Sequence, residues 1–314
     1  MPNFDYINAR LRGMKARLLD EDARRPLRQA EGVEGFLNAL NDTSYADAVA
    51  QTRVEADGLR AAMGAIRLTL RDRIATIRRM FGGPTPVDPL LHRYDVQNVL
   101  AVLRGLAGGA SKRRIQAMLL PAGDLSERAL LRCVSEAEGW QAARDCLLSL
   151  TDLPDEAADA LLRTDLDSIE AGLWHWYFSQ EAAYDLVAEV LRRQADRYNI
   201  MQALRNRTDF VPTGHISRKR LREAAEAASV EEAVEVLRGP TTYRDALREG
   251  LHRYQQNGRL SAIEKALTDH TLRWRGKQIR RDPLGVGVLV GYTGLLAEEV
   301  RALRWIAQRK GMRV

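Results

Sequence analysis

The sequence predicts an all-α protein. Apolar residues recur at three- and four-residue spacing along almost the whole chain, and alternating, strand-like runs are scarce. Short breaks rich in glycine and proline separate the periodic stretches: "GGPTPVDP", "LPAGD", "VPTGH" and "RGPTT". In chain order, Ala56 to Met80 places Leu59, Met63, Ile66, Leu70, Ile74 and Ile77 on one face with arginines around the rest, a long amphipathic helix. "DPLL" (Asp88 to Leu91) opens the next helix with a proline in its first turn, where no amide donor is needed. "RRIQAMLL", "SERALLRCVSEA", "AAYDLVAEVLRRQ" and "SVEEAVEVLR" carry the same helical period. "WHWYF" (Trp174 to Phe178) reads as a helix packed into the core rather than as a stacking platform.

At 314 residues, 45% of them hydrophobic and 29% charged, the chain can bury a sizeable core. A net charge of +6 favours an acidic partner surface without identifying it. No secretory leader is expected, because the N-terminus turns basic before an apolar stretch develops. No run approaches the roughly 18–20 apolar residues that span a bilayer; the longest uncharged one, Pro283 to Ala297, carries four glycines. Cys133 and Cys146, in one helical-looking stretch, read as small core residues in a reducing compartment, with no disulfide framework.

Internal repeats set the organisation. Asp95-x-x-Asn98 followed by Leu103-Arg104 returns as Asp196-x-x-Asn199 followed by Leu204-Arg205, and Asp5-x-x-Asn8 begins the same way. Pro121-x-Gly123-x-Leu125-Ser126 matches Pro212-x-Gly214-x-Ile216-Ser217, each serine placed to cap the helix that follows. "TSYADAV" (from Thr43) matches "TTYRDAL" (from Thr241). Three kinds of motif in one order predict three related helical units, residues 1–94, 95–195 and 196–314. A degenerate fourth start at Glu299-x-x-Ala302 opens a closing C-terminal helix. At i and i+3 the Asp and Asn share a helix face and can cap neighbouring backbone, so the motif reads as a structural joint.

The glycines of "RRDPLGVGVLVGYTG" raise the question of a phosphate loop. No hydrophobic strand precedes them and too little chain follows for a βαβ unit, so no nucleotide cofactor is expected. Asp282 and Pro283 read instead as the cap and first residue of a helix. Its Gly287, Gly291 and Gly294 would line one face and admit a second helix closely. The five histidines lack metal-ligand spacing, and no nucleophile elbow occurs. Glu298–Glu299 and Asp155–Glu156 read as solvated surface rather than as acid/base pairs. No catalytic, metal or cofactor residue is assigned. Basic stretches offer partner contacts at Arg113, Arg114, Arg218, Lys219, Arg220, Arg280 and Arg281, and they leave a nucleic-acid-binding helical module as the alternative function.

"YINARLR" (from Tyr6), "DVQNVLAVLRG" (from Asp95) and "DPLGVGVLVGY" through "EEVRALRWIAQRKG" (Asp282 to Gly311) resemble the C-type subunits of the prokaryotic V/A-type rotary ATPases, whose eukaryotic counterpart is the d-type subunit. The likeness runs along the whole chain. The family's last helix often has an asparagine where Ala302 stands here, which fits a structural rather than a ligand role for the motif's asparagines. The resemblance implies a funnel of three units related by pseudo-threefold symmetry, without an active site. It further implies D- and F-type central-stalk subunits and the membrane proteolipid ring as partners. The chain would then be peripheral on the cytoplasmic side and would couple the stalk's rotation to H⁺ or Na⁺ translocation.

Overall fold

The computed structural model describes residues 3–56, 58–239 and 241–311. Met1 and Val314, the outer limits of the expected first and third units, and Pro240 of the "RGPTT" break lie outside the described residues. Every regular element among the described residues is a helix. The first part of the chain forms α1 (Phe4–Lys15), α2 (Arg25–Gln29), α3 (Gly32–Asn41), α4 (Ala46–Glu55) and α5 (Gly58–Phe81). Then follow α6 (Asp88–Ala107), α7 (Lys112–Met118), α8 (Glu127–Glu136), α9 (Trp140–Leu150), α10 (Asp155–Leu161) and α11 (Leu166–Ser179). The last group is α12 (Asp185–Ala203), α13 (Arg218–Ala225), α14 (Val230–Leu237), α15 (Arg244–Asn257), α16 (Ser261–Arg281) and α17 (Gly287–Gly311).

Packing follows the long helices. α5 packs on α17, α11 on α6 and α16 on α12, while α12 also touches α6 and α17. α5 buries Met63, Ile66, Leu70, Ile74 and Ile77 from its expected apolar face, and only Leu59, in its first turn, stays exposed. α11 buries Trp176, Tyr177 and Phe178, so the aromatic run is core; Trp174 meets Phe178 and Tyr198 at ring separations of 5.9 and 5.8 Å. One continuous apolar core takes in α1 through α11, the first half of α12 and α17. A second lies among the end of α12 and α13 to α16.

Three local expectations need correction. α17 begins at Gly287, not at Pro283, because α16 runs to Arg281 and a residue before proline is held out of the helical region. Asp282 accordingly sits at φ −129°, ψ 74° and ends α16. Ser217 caps Arg220 N at 3.4 Å as expected, whereas Ser126 occupies the same position before α8 without a side-chain bond. Cys133 and Cys146 do not share a helix. The chain breaks after Glu136, Gly139 takes φ +128°, and α9 folds back along α8, bringing the two Cα atoms to 5.5 Å. They form a disulfide, which replaces the expectation of two free core thiols.

Candidate functional site

The repeated motifs interlock. On α6, Asn98 donates to Leu120 O at 3.0 Å and accepts from Leu120 N at 2.8 Å, clamping the residue before Pro121. One turn earlier, the Asp95 carboxylate accepts from the backbone of Asp124 at 2.8 Å and Leu125 at 3.0 Å. On α12, Asn199 clamps Val211, before Pro212, at 2.9 Å in both directions, and Asp196 accepts from Ile216 N at 3.0 Å. A Cβ on Gly123 or Gly214 would collide with the Asp95 or Asp196 carboxylate, so only glycine admits the close approach. After each joint an arginine ties its long helix to a packed neighbour: Arg104 pairs with Glu170 of α11, and Arg205 with Glu264 of α16 at 3.9 Å.

The first start differs. Asp5 is exposed, and Asn8 reaches forward to Gly285 O at 3.0 Å, its own Oδ1 buried without a partner among the described residues. The joint near the N-terminus is made instead by Glu299 of α17. Its carboxylate, only 2% exposed, accepts from Leu19 N, from the Tyr45 hydroxyl at 2.5 Å and from the Arg73 guanidinium. Asp20 then caps Ala23 N at 2.9 Å, as Ser217 caps α13. Glu299 is therefore not the solvated surface acid that its neighbour Glu298 suggested. The tyrosine motif joins the same scheme. Tyr45 is anchored on α17 through Glu299, and Tyr243 donates to Arg193 O on α12 at 2.6 Å, with Thr43 and Thr241 accepting from the two tyrosine amides.

Burial sets the electrostatics of these joints. It raises Asp95 to about 6, against the pull of the amides of Asp124 and Leu125 and of nearby His92. Asp196 is likewise raised by burial, opposed by Ile216 N and His215, whose Nδ1 lies 2.8 Å away. For His92, burial acts downward, but hydrogen bonds to Asp124 (2.8 Å) and Gln180 outweigh it and hold the ring above its usual value. Burial and the Glu299 charge push Tyr45 far up, so it stays a hydroxyl donor.

At the α16–α17 corner, the Asp282 carboxylate accepts from Gly285 N at 3.0 Å and Gly287 N at 2.8 Å. The amides that could cradle a phosphate are thus taken by the chain's own side chain, with Pro283 exposed beside them. A Cβ on Gly287 would lie 2.8 Å from Gln278 O; one on Gly291 would strike Ile279 and sit 3.1 Å from Arg275 O; one on Gly294 would lie 2.9 Å from Arg275 Nε. All three glycines face α16. The basic residues singled out from sequence sit on three separate elements: Arg113 and Arg114 on α7; Arg218, Lys219 and Arg220 on α13; Arg280 and Arg281 at the end of α16. Among the described residues no group of three His, Cys, Asp or Glu side chains could hold a metal, and no helix is long and apolar enough to cross a membrane.

One concentration of positive charge was not legible in the sequence. Arg93, Arg197, Arg275 and Arg301 come from α6, α12, α16 and α17 to line one cleft. Their only sequence signal was arginine on otherwise apolar helix faces, which reads as ordinary amphipathicity.

The fold and its joints define an all-helical protein whose repeated polar motifs fix long helices against loops. The family model for the ATP synthase (C/AC39) subunit matches residues 7–314, and the chain belongs to that family. It is 24% identical to the C-type subunit of the A-type ATP synthase of Methanocaldococcus jannaschii, over 98% of this chain and 82% of that one. It is 26% identical to the equivalent protein of Methanothermobacter thermautotrophicus, over 98% and 84%. With the C-type subunit of the V-type ATP synthase of Deinococcus radiodurans it shares 29% identity, over 41% and 38%.

Proposed function

We propose that the protein is a non-catalytic rotor coupler of a V/A-type rotary ATPase. It would seat D- and F-type central-stalk subunits on the membrane proteolipid ring and transmit torque between ATP chemistry and H⁺ or Na⁺ movement. The observation that carries this is the family match across residues 7–314, joined to relatives named as C-type subunits of A-type ATP synthases over most of their length. On this reading the chain is peripheral, on the cytoplasmic face, and has no active site of its own.

We further propose three helical units around a pseudo-threefold axis, in a funnel. The paired joints support it: Asp95 and Asp196 make like bonds to like loops, and Glu299 makes the corresponding bond to Leu19. This shifts the unit limits from the sequence reading, because each unit is headed by a long helix. The chain order becomes α17 for the first, α6 for the second and α12 for the third, so that the C-terminal helix closes the ring of units. A rotor element has to resist twisting, and joints of buried carboxylate–amide bonds fix helix against loop more stiffly than exposed pairs do.

The experiment is reconstitution. Adding the protein to a stalk-bearing head and ring-bearing membranes should restore coupling, so that ATPase activity becomes sensitive to a block of the ring. Head and ring that couple fully without it would sink the proposal. Titrating that reassembly with salt measures the contribution of the +6 charge; loss of affinity with rising salt is expected.

A further inference from the structure

We propose that the cleft between α6, α12, α16 and α17 is a binding site for a small, multiply charged oxyanion of the phosphate class. Two adjoining cavities, about 320 and 460 Å³, share Arg93, Arg275 and Arg301 in their walls. Arg197 completes the smaller one and Arg304 the larger. Five arginines from four helices thus line the two cavities, three of them common to both.

Their charge is only partly balanced by the protein. Glu264 is the one carboxylate among the described residues lining the smaller cavity, and the larger has none. Arg275 is 6% exposed and donates only to neutral oxygens, Val290 O at 3.2 Å and Thr293 Oγ1 at 3.0 Å, while its Nε has no partner among the described residues. Arg197 donates to Thr268 Oγ1 at 2.9 Å and Arg304 to Met118 O at 3.0 Å. Arg93 lines both cavities. Arg301 alone has a carboxylate, that of Asp269 at 3.0 Å. Burial and then the charge of Arg93 press Arg197 down to about 10, and burial presses Arg275 to the same value. Both stay protonated at neutral pH, so the cluster holds uncompensated positive charge in a partly desolvated space.

A structural role does not explain this arrangement, since half-buried cations without anions oppose folding. An oxyanion resolves it. Guanidinium forks match phosphate oxygens bidentately, and a tetrahedral dianion accepts from several directions at once, whereas one carboxylate cannot serve guanidiniums on four helices. Burial favours a small ion over a docked chain, because Arg275 in the cleft wall is only 6% exposed. The site does not depend on the rotor role.

Calorimetry and thermal melts of the full chain test it, at fixed ionic strength, with inorganic phosphate and pyrophosphate as ligands and tricarballylate as a carboxylate control. Saturable binding and a raised Tm are expected with pyrophosphate, with R93Q weakening it at least tenfold and the exposed R128Q leaving it unchanged. Should R93Q fold poorly by circular dichroism, R301Q serves, with a weakening of at least threefold expected. Absence of saturable binding at matched ionic strength overturns the proposal. So does unchanged affinity in the cleft variants, or a response to tricarballylate equal to that for pyrophosphate, which would make the cleft a seat for a partner's carboxylates. None of these outcomes touches the reconstitution assay, so the two readings fail separately.

Discussion

Tyr45 and Glu299 lie 254 residues apart in the chain and share a 2.5 Å hydrogen bond in its interior. The same carboxylate takes Leu19 N and the Arg73 guanidinium, so one side chain of α17 holds three pieces of the N-terminal region. Removing it takes the carboxylate from a half-buried arginine and the acceptor from a buried amide. E299A should therefore cost about 3–5 kcal/mol, the range for breaking a buried pair from one side. Y45F deletes one donor and should cost about 1–2 kcal/mol. Urea unfolding of both variants measures this, and equal losses would show that Arg73 does not depend on Glu299.

Gly123 and Gly214 are fixed by carboxylates rather than by backbone angle. A methyl at either position would occupy the space of the Asp95 or Asp196 side chain and prise the loop off its helix. G123A and G214A should each lose about 1–3 kcal/mol, the usual cost of overpacking. Gly13, in α1 with open space around its Cβ direction, is the control. G13A should be neutral or stabilising by up to about 1 kcal/mol, since alanine is the better helix former.

These joints mark how far the sequence could be read. Helix content followed from apolar period, and Asp95, Asn98, Asp196 and Asn199 were recognisable as a joint because they recur. What they bind was not legible, because the partner atoms are backbone amides of a loop that any residue could supply. Asp5 shows the opposite failure: the pattern matches and Asn8 is buried, but the Asp5 carboxylate itself is exposed. Glu299, which holds Leu19, Tyr45 and Arg73, was visible only as a degenerate start beside Glu298, and nothing local distinguishes a solvated glutamate from one that meets Arg73 across the fold. The arginine cleft escaped for the same reason: convergence from four helices is tertiary information.

His92 gives the second joint a pH dependence. The ring faces Asp124 and Gln180, stacks on Trp176 at 5.7 Å, and has Arg78 on the far side of Asp124. Its value in the folded protein is raised above the ordinary 6.5. The protonated ring therefore stabilises fully below 6.5 and loses that contribution as pH rises through the folded value. Asp95, raised from 3.8 to about 6, has its own contribution lost between those two pH values, before the His92 window opens. Asp124 is lowered, first by its bond to His92, and stays ionised across the window. H92N should accordingly destabilise more at pH 6 than at pH 8.5; a difference between wild type and variant that does not change with pH would count against the assignment.

Gly291 sets the distance between α16 and α17, because a side chain there meets Ile279 and the Arg275 carbonyl. G291L should cost more than about 3 kcal/mol or abolish soluble expression, as overpacking against a rigid backbone cannot relax by a rotamer change. Gly276 of α16 has only Leu295 within reach, at 3.8 Å. G276A should be tolerated, gaining up to about 1 kcal/mol of helix propensity. Circular dichroism melts of the two variants read this directly, and a well-folded G291L would mean that the helices are not in register as described.

Cys133 and Cys146 read as small core residues of one helical stretch in a reducing compartment, and a continuous helix would indeed hold residues thirteen apart across about four turns. The hairpin at Gly139 removes that separation and lays Cys146 of α9 against Cys133 of α8. A bridge closing a loop of this size restricts the unfolded chain and stabilises by about 3 kcal/mol in the chain-entropy account. Dithiothreitol should therefore lower the urea midpoint of the wild type, and the C133A/C146A variant should unfold at the same midpoint with or without it. Alkylation followed by mass spectrometry gives the independent readout: no label on the native protein and two after reduction. Two labels without reduction would show the thiols to be free in solution and return α8 and α9 to packing alone.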